Sequence, residues 1–280
     1  MPLPALQRLP PLSTTDTALF LDFDGTLIDL VPQPDAVRVP PQLIEVLQRL
    51  AERLGGALAV VSGRCLAELD FFLAPLQLPL AAEHGALRRL ATGRLTELHP
   101  PDLAHATNVA HALASQYPGL LMERKTSSVA LHYRQRPELE QLCVAAMAEV
   151  GERTLGTELL RGKCVVELKP LGVHKGLAMA CFMKELPFAG RLPWFAGDDL
   201  TDEPGFVWAQ GAGGTAVKVG QGATAAQHHC PSPAVLRLWL AQTLANWPSK
   251  GSPLHANAPH ASTSHVLPAP APTSARRRTP

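Results

Sequence analysis

Four short apolar runs, each ending in Gly, Asp or Ser, constrain this chain more than any other feature. They are ALFLDFDGT (18–26), GALAVVSGR (56–64), LPLAAEHG (78–85) and LPWFAGDD (192–199). Runs this short and this continuously apolar read as strands covered on both faces, the condition of a parallel sheet. Between the first two lies PPQLIEVLQRLAERLG (40–55), with Leu43, Val46, Leu47, Leu50 and Leu54 on one helical stripe. Pro40 and Pro41 stand where a helix tolerates proline, and Gly55 stands where a helix ends. A strand–helix–strand unit of this kind predicts an α/β core built on a parallel sheet. With 280 residues, 46% of them hydrophobic, the chain can bury one large core or two smaller ones.

Residues 102–170 follow another pattern. DLAHATNVAHALASQY places Leu103, Ala106, Ala110, Leu113 and Tyr117 at helical spacing, and LLMERK and SVALHYR read as short strands. PELEQLCVAAMAEV predicts a second helix with Leu139, Leu142, Ala146 and Val150 on one side. TELLRGKCVVELK reads as a hairpin turning at Arg161 and Gly162. Helix–strand–strand, repeated, predicts a small α+β module inserted into the core. The expected division is therefore core 1–101, insert 102–170, core again 171–248, and a tail at 249–280. In the second core part, HKGLAMACFMKEL (174–186) predicts a helix, GGTAVKVG a strand and PSPAVLRLWLAQTLANW (231–247) a closing helix. The tail is rich in Pro, Ser and Ala without apolar period and reads as disordered, with Arg276–Arg278 solvated.

Bulk chemistry narrows the partners. A formal net charge of +1 gives no support for nucleic-acid or membrane-surface binding and favours a small-molecule partner. Five scattered cysteines without a Cys-x-x-Cys pair suit reduced thiols in a cytoplasmic protein. MPLPALQRLPPL breaks the apolar core that a signal peptide needs, and no apolar run reaches a membrane span, so a soluble protein is expected.

Charged residues gather where the strands end. Asp22 and Asp24 follow the first run, Ser62 and Arg64 the second, Asp198 and Asp199 the last. Ligands of open α/β sheets bind off the carboxyl ends of the strands. Carboxylates crowded there need a positive partner, and an all-oxygen set of few carboxylates suits Mg²⁺ with a phosphate substrate. Gly25 lets the chain turn at once, so that Asp22 and Asp24 can face one pocket. An aspartate beside a metal is a competent nucleophile toward phosphorus, and a second carboxyl can protonate the leaving oxygen. Lys175, at a predicted helix start, adds a cation where backbone N–H groups already favour an anion. In the insert, alternation puts Glu123 and Lys125 on one strand face, and Lys163, Glu167 and Lys169 on another. Such a mixture of donors and acceptors suits sugar hydroxyls, and equally a solvated sheet face.

D-x-D-G-T, S-G-R after an apolar run, a lysine opening a helix, and G-D-D-x-x-D-E resemble the four motifs of the haloacid dehalogenase-like phosphatases. The resemblance implies a Rossmann-like hydrolase core with an inserted α+β cap of the second (C2) type. It implies Asp22 as nucleophile and Asp24 as general acid/base. It also implies Mg²⁺ on Asp22, the Asp24 carbonyl and Asp198, with Asp199 acting through water, and Ser62, Gly63 and Lys175 around the phosphoryl group. SGRCLAELD, HGALRR, VALHYRQ, GKCVVELKP and FAGDDLTDEPGF are similar, within that superfamily, to the bacterial trehalose-6-phosphate phosphatases. That likeness implies Mg²⁺-dependent hydrolysis of trehalose 6-phosphate through an aspartyl-phosphate, the last step of trehalose biosynthesis. It implies substrate contacts from Arg64, Glu123, Lys125, Arg134 and Glu167, and a functional pairing with the trehalose-phosphate synthase.

Three alternatives stay open at this level: a phosphatase of another sugar phosphate such as sucrose phosphate, a non-catalytic partner of the synthase, and a phosphomutase. His84 is as well read as a core histidine as a site residue. His228, His229 and Cys230 lack a second ligand pair for zinc, and GAGGTAVKVGQG lacks the order of a dinucleotide loop. His174 departs from the small residue usual before the lysine in this resemblance, and could tune pH dependence.

Overall fold

The structure is a computed structural model that describes residues 9–30 and 37–247. Strands β1 (Thr17–Leu21), β2 (Leu58–Val61) and β3 (Leu80–Ala82) form where the apolar runs predict them, and every residue in them is buried. Helix α1 (Pro41–Arg53) joins β1 to β2 and buries Leu43, Leu47 and Leu50. Elements too short to show a period follow: α2 (Leu66–Leu73), β4 (Leu87–Arg89) and β5 (Leu95–Glu97). None of the three was expected.

Residues 104–170 form a separate antiparallel sheet with two helices. α3 (Ala104–Gln116) precedes β6 (Leu121–Arg124) and β7 (Val129–His132), and α4 (Glu140–Arg153) precedes β8 (Thr157–Gly162) and β9 (Val165–Pro170). The sheet order is β6-β7-β9-β8. Leu103, Ala106, Val129, Leu131, Cys143, Met147, Val166 and Leu168 close a hydrophobic core of its own. Two expectations here are corrected. The buried stripe of α4 is Cys143, Val144, Met147 and Val150, while Leu142 is 37% exposed. Both stripes share Val150, and packing against the sheet chooses the phase that hydropathy leaves open. The hairpin turns at Lys163 and Cys164, because Gly162 pairs with Val165 as the last rung. Cys164 takes the left-handed conformation (φ 63) that the nearby glycine would ordinarily supply.

The chain returns through α5 (Lys175–Phe182), β10 (Leu192–Gly197), α6 (Glu203–Gly211), β11 (Thr215–Val219), β12 (His228–Cys230) and α7 (Pro233–Asn246). α6 and β12 were not foreseen. The large sheet has the order β12-β11-β10-β1-β2-β3-β4-β5, parallel from β12 to β3 and antiparallel beyond. Phe20 of β1 lies under Phe182 and Phe188, with the Phe20 and Phe188 rings 5.4 Å apart. β1 is the pivot of this order. From β1 the chain first moves to β2 and β3, and later adds β10 on the opposite side. The strand order reverses there, which opens a crevice at the carboxyl ends of β1 and β10. Residues 249–280, with Arg276–Arg278, lie outside the described residues. No described helix is long and apolar enough to cross a membrane.

Candidate active site

Asp22 is the first residue past β1, and its N–H donates to the Ala196 carbonyl of β10 at 2.9 Å. Asp198 follows β10, so the reversal of strand order brings the two carboxylates together. Lys175, at the start of α5, is the cation between them and Asp202. Its Nζ donates to Asp22 Oδ1 at 2.6 Å and to Asp202 Oδ1 at 2.7 Å. Asp22, Asp198 and Asp202 each offer an oxygen within 4.8 Å of the others. Gly25 (φ 75) makes room for this, since a Cβ there would lie 2.1 Å from Asp198 Oδ2. Gly197 does the same for Asp202, whose Cγ would lie 2.2 Å from a Cβ at 197.

Burial pushes the Asp22 carboxyl well above the usual carboxylate range, against the pull of Lys175, and Asp202 and Asp198 push the same way. Burial and the Asp202 charge push Asp198 up to about 7. Burial alone would lower Lys175, but Asp202 and Asp22 outweigh it and hold the ammonium charged. Asp22 and Asp198 are thus short of positive charge, and their hard oxygen donors fit a hard divalent cation.

Asp202 was not assigned a role from sequence, yet it organises the loop. While Oδ1 takes Lys175, Oδ2 accepts the N–H groups of Asp198 and Asp199, each at 2.9 Å. Lys218 of β11 donates to the Asp198 carbonyl from the other side. The two remaining acidic residues expected at the metal stand apart from the three-carboxylate group. Asp199 caps the turn at Leu200–Asp202, accepting the Leu200 N–H at 2.5 Å. Asp24 is gripped by Arg64, Nε to Oδ2 at 2.6 Å and Nη2 to Oδ1 at 2.8 Å, while Nη1 reaches Glu68 at 2.9 Å. The guanidinium lies over the Phe72 ring, 5.0 Å from its centroid.

Ser62 is the first residue past β2 and is buried. Its Oγ accepts the Arg64 N–H at 3.2 Å, so its own proton is free to donate. Gly63 packs against His84, where a Cβ would lie 2.7 Å from Cε1. The Gly63 carbonyl accepts Lys125 Nζ at 3.0 Å, which ties the small sheet to this loop. Lys125 also donates to Glu167 Oε1 at 3.1 Å, Ser128 Oγ donates to the same oxygen, and His84 Nε2 lies 3.7 Å from Oε2. Burial would raise the Glu167 carboxyl, but Lys125, His84 and Ser128 outweigh it and hold it far below the usual range. Burial lowers His84.

A trehalose-phosphatase family model matches residues 20–232. Trehalose-6-phosphate phosphatase from Escherichia coli is 46% identical over 211 residues, covering 75% of this chain and 79% of that one. The chain belongs to the trehalose-phosphatase family. A bifunctional trehalose-6-phosphate synthase/phosphatase of Thermoproteus tenax is 37% identical over 216 residues, 75% of this chain and 29% of that protein. A crystal structure described as a trehalose-6-phosphate phosphatase related protein superposes with a TM-score of 0.67 at 28% identity, covering 81% of this chain and 96% of that one. The family implies a divalent metal, and the Asp22–Asp198 oxygens suit one.

The remaining expected residues of this trehalose-phosphatase relative lie on the small sheet. Glu123 of β6 pairs with His132 of β7 at 2.8 Å, a partner that the sequence did not suggest. Val129, Leu131 and Tyr133 face the small core, so the opposite face of β7 carries Ala130 and His132 and runs on to Arg134. Arg134 is exposed in the turn after β7, at the far end of that strand from Lys125 and Ser128. Lys169 is turned to structural use: it donates to Glu158 and to the Val173 carbonyl, just before Lys175. His174 caps α5, its Nδ1 accepting the Leu177 N–H at 3.1 Å, which accounts for a histidine before the lysine. Burial and the nearby Lys169 lower its pKa.

Proposed function

We propose that this chain hydrolyses trehalose 6-phosphate to trehalose and inorganic phosphate by two displacements at Asp22, with Mg²⁺ as its cation. The observation that carries this reading is Lys175 bridging Asp22 and Asp202 beside Asp198, at the crevice where the strand order reverses. Lys175 holds one oxygen of Asp22 and leaves the other to attack phosphorus. An Asp22–phosphorus bond forms as the bond to the sugar oxygen breaks, and Asp24 gives that oxygen a proton. Water then attacks the aspartyl-phosphate, Asp24 takes the proton back, and phosphate leaves. The third ammonium proton of Lys175, the Ser62 hydroxyl and the Gly63 loop are free to face the transferring phosphoryl oxygens. Mg²⁺, held by Asp22, Asp198 and the Asp24 carbonyl with Asp199 acting through water, would neutralise the charge that develops there. Both oxygens of Asp24 accept from Arg64, and each keeps a second lone pair on which Asp24 can carry the proton.

Residues 102–170 act as a cap over this crevice. Glu123, Lys125, Glu167 and Arg134 bind the non-reacting glucose, and its binding energy positions the phosphate. The fused synthase/phosphatase of Thermoproteus tenax supports a functional pairing with the synthase, in the cytoplasm where the sugar phosphate is made. The test is phosphate release from a panel of trehalose 6-phosphate, sucrose 6-phosphate and glucose 6-phosphate, with Mg²⁺ and with EDTA. Release selective for trehalose 6-phosphate and dependent on Mg²⁺ is expected; equal rates on all three would overturn the substrate assignment.

A further inference from the structure

β3 ends at Ala82, and the next three residues all take positive φ: Glu83 at 48, His84 at 60 and Gly85 at 112. Two consecutive non-glycine residues in this region are unfavourable and persist only where surrounding contacts enforce them. Here the Glu83 N–H donates to the Arg64 carbonyl and the His84 N–H to the Ser62 carbonyl, both at 2.9 Å. The turn thus hangs from the phosphate loop, and it sends the Glu83 carboxylate out of the large sheet to the insert. Glu83 Oε1 accepts the Thr126 N–H at 3.0 Å and Oε2 the Ser127 N–H at 2.7 Å. Glu83 is 2% exposed and Ser127 0% exposed, while Thr126 at the rim of the junction is exposed. The turn so gripped joins β6 to β7 and carries Lys125 and Ser128, which with His84 surround the Glu167 carboxylate.

We propose that Glu83 is a positioning residue for substrate recognition: a latch that docks the β6–β7 turn on the phosphate loop and thereby sets Lys125 and Glu167 over it. Both oxygens of one carboxylate take two successive backbone amides, a strong arrangement when desolvated. An opposing feature keeps the latch reversible. Ser127 Oγ is buried without a hydrogen-bond partner, and undocking would return it to water. Glu83 favours the docked turn and Ser127 disfavours it, so changes at the two positions act in opposite directions.

The inference rests on the assignment of Lys125 and Glu167 to the sugar, and the test separates the two. Kinetics on trehalose 6-phosphate and on p-nitrophenyl phosphate, which has no sugar, are paired with hydrogen exchange of residues 124–128. Glu83→Gln keeps one acceptor oxygen and turns an amide NH₂ toward an N–H donor. It should speed exchange at 124–128 by about tenfold and raise KM for trehalose 6-phosphate by about tenfold, with kcat nearly unchanged. On p-nitrophenyl phosphate its kcat/KM should stay within about twofold of wild type. Ser127→Ala should slow exchange at 124–128 and lower KM for trehalose 6-phosphate, each by roughly threefold. Unchanged exchange in Glu83→Gln would overturn the latch. So would a fall on both substrates with faster exchange through β1 and β2, the mark of a purely structural role. A wild type with no preference for trehalose 6-phosphate would instead sink the substrate assignment, while the exchange data would still judge the latch.

Discussion

Lys175 can donate three hydrogen bonds, and two go to Asp22 and Asp202 in a site almost closed to water. Loss of Asp202 would leave Lys175 paired with Asp22, so the cost lies in the hydrogen bonds that Asp202 makes. Asp202 has a second duty, since its other oxygen takes the N–H groups of Asp198 and Asp199. Asparagine has one acceptor oxygen and cannot serve both. Asp202→Asn should therefore destabilise the protein by about 1–3 kcal/mol in urea unfolding, the cost of a buried polar group left unpaired, and activity should fall through misplacement of Lys175 and Asp198. Asp24→Asn should leave the fold intact and lower kcat by about 10²–10⁴-fold, the usual weight of a general acid/base. Gly25→Ala should behave like loss of Asp198, because the new methyl group meets its carboxylate at 2.1 Å; circular dichroism with phosphate release would show a folded, inactive protein. Asp22, Lys175 and Asp198, which the structure brings together, could be singled out in the sequence because each stands beside the apolar run or helix start that positions it. Asp202 stood in the G-D-D-x-x-D-E motif without a role, and Glu83, His132 and Lys218 were not singled out, because their partners are brought by other elements or by a turn of the loop.

At the level of elements, what could be read depended on length and on burial of both faces. β1, β2, β3, β10 and α1 are long or apolar enough to declare their period. β4, β5 and β12 have three residues each, too few to declare a period. The phase of α4 and the turn between β8 and β9 were set by packing and by Cys164 accepting a positive φ, neither of which hydropathy encodes. The same small sheet carries a pH signature. Glu167, 5% exposed, has its carboxyl held below the ordinary value by Lys125, His84 and Ser128 against the opposing effect of burial. A depressed carboxyl adds stability that is fully present above its unfolded pKa, about 4.3, and is lost as pH falls toward the folded value. The stability difference between wild type and Glu167→Gln should therefore be constant above about pH 5 and shrink below about pH 4. Urea unfolding at a series of pH values measures it; a difference that instead shrinks between pH 6 and 8 would place the effect on another group.

Across the whole molecule, the order of strands decides where charge collects. β10 adds beside β1 on the side away from β2, so residues 22 and 198 meet although 176 positions of chain separate them. The fold therefore holds Asp22 and Asp198 close, with Lys175 paired to Asp22 and Asp202 and with Lys218 on the Asp198 carbonyl as the ammonium groups beside three carboxylates. The pKa values of both aspartates are raised, which records that their mutual repulsion and burial are only partly offset. A divalent cation that binds the folded chain and not the unfolded one stabilises it by mass action, about 2.7 kcal/mol at a hundred times its Kd. For a domain of this size that corresponds to a rise in Tm of roughly 5–11 °C, at about 2–4 °C per kcal/mol. Saturating Mg²⁺ should raise Tm by this order, and EDTA should reverse it. The size of the rise should grow from pH 6 to pH 8, as Asp198, with a pKa of about 7, gives up its proton to bind. Asp198→Asn removes one ligand and one repelling charge together. Its metal-free form should melt no lower than wild type, and it should lose the Mg²⁺-dependent rise. A variant that kept the full rise would mean that the cation binds elsewhere than the crevice between β1 and β10.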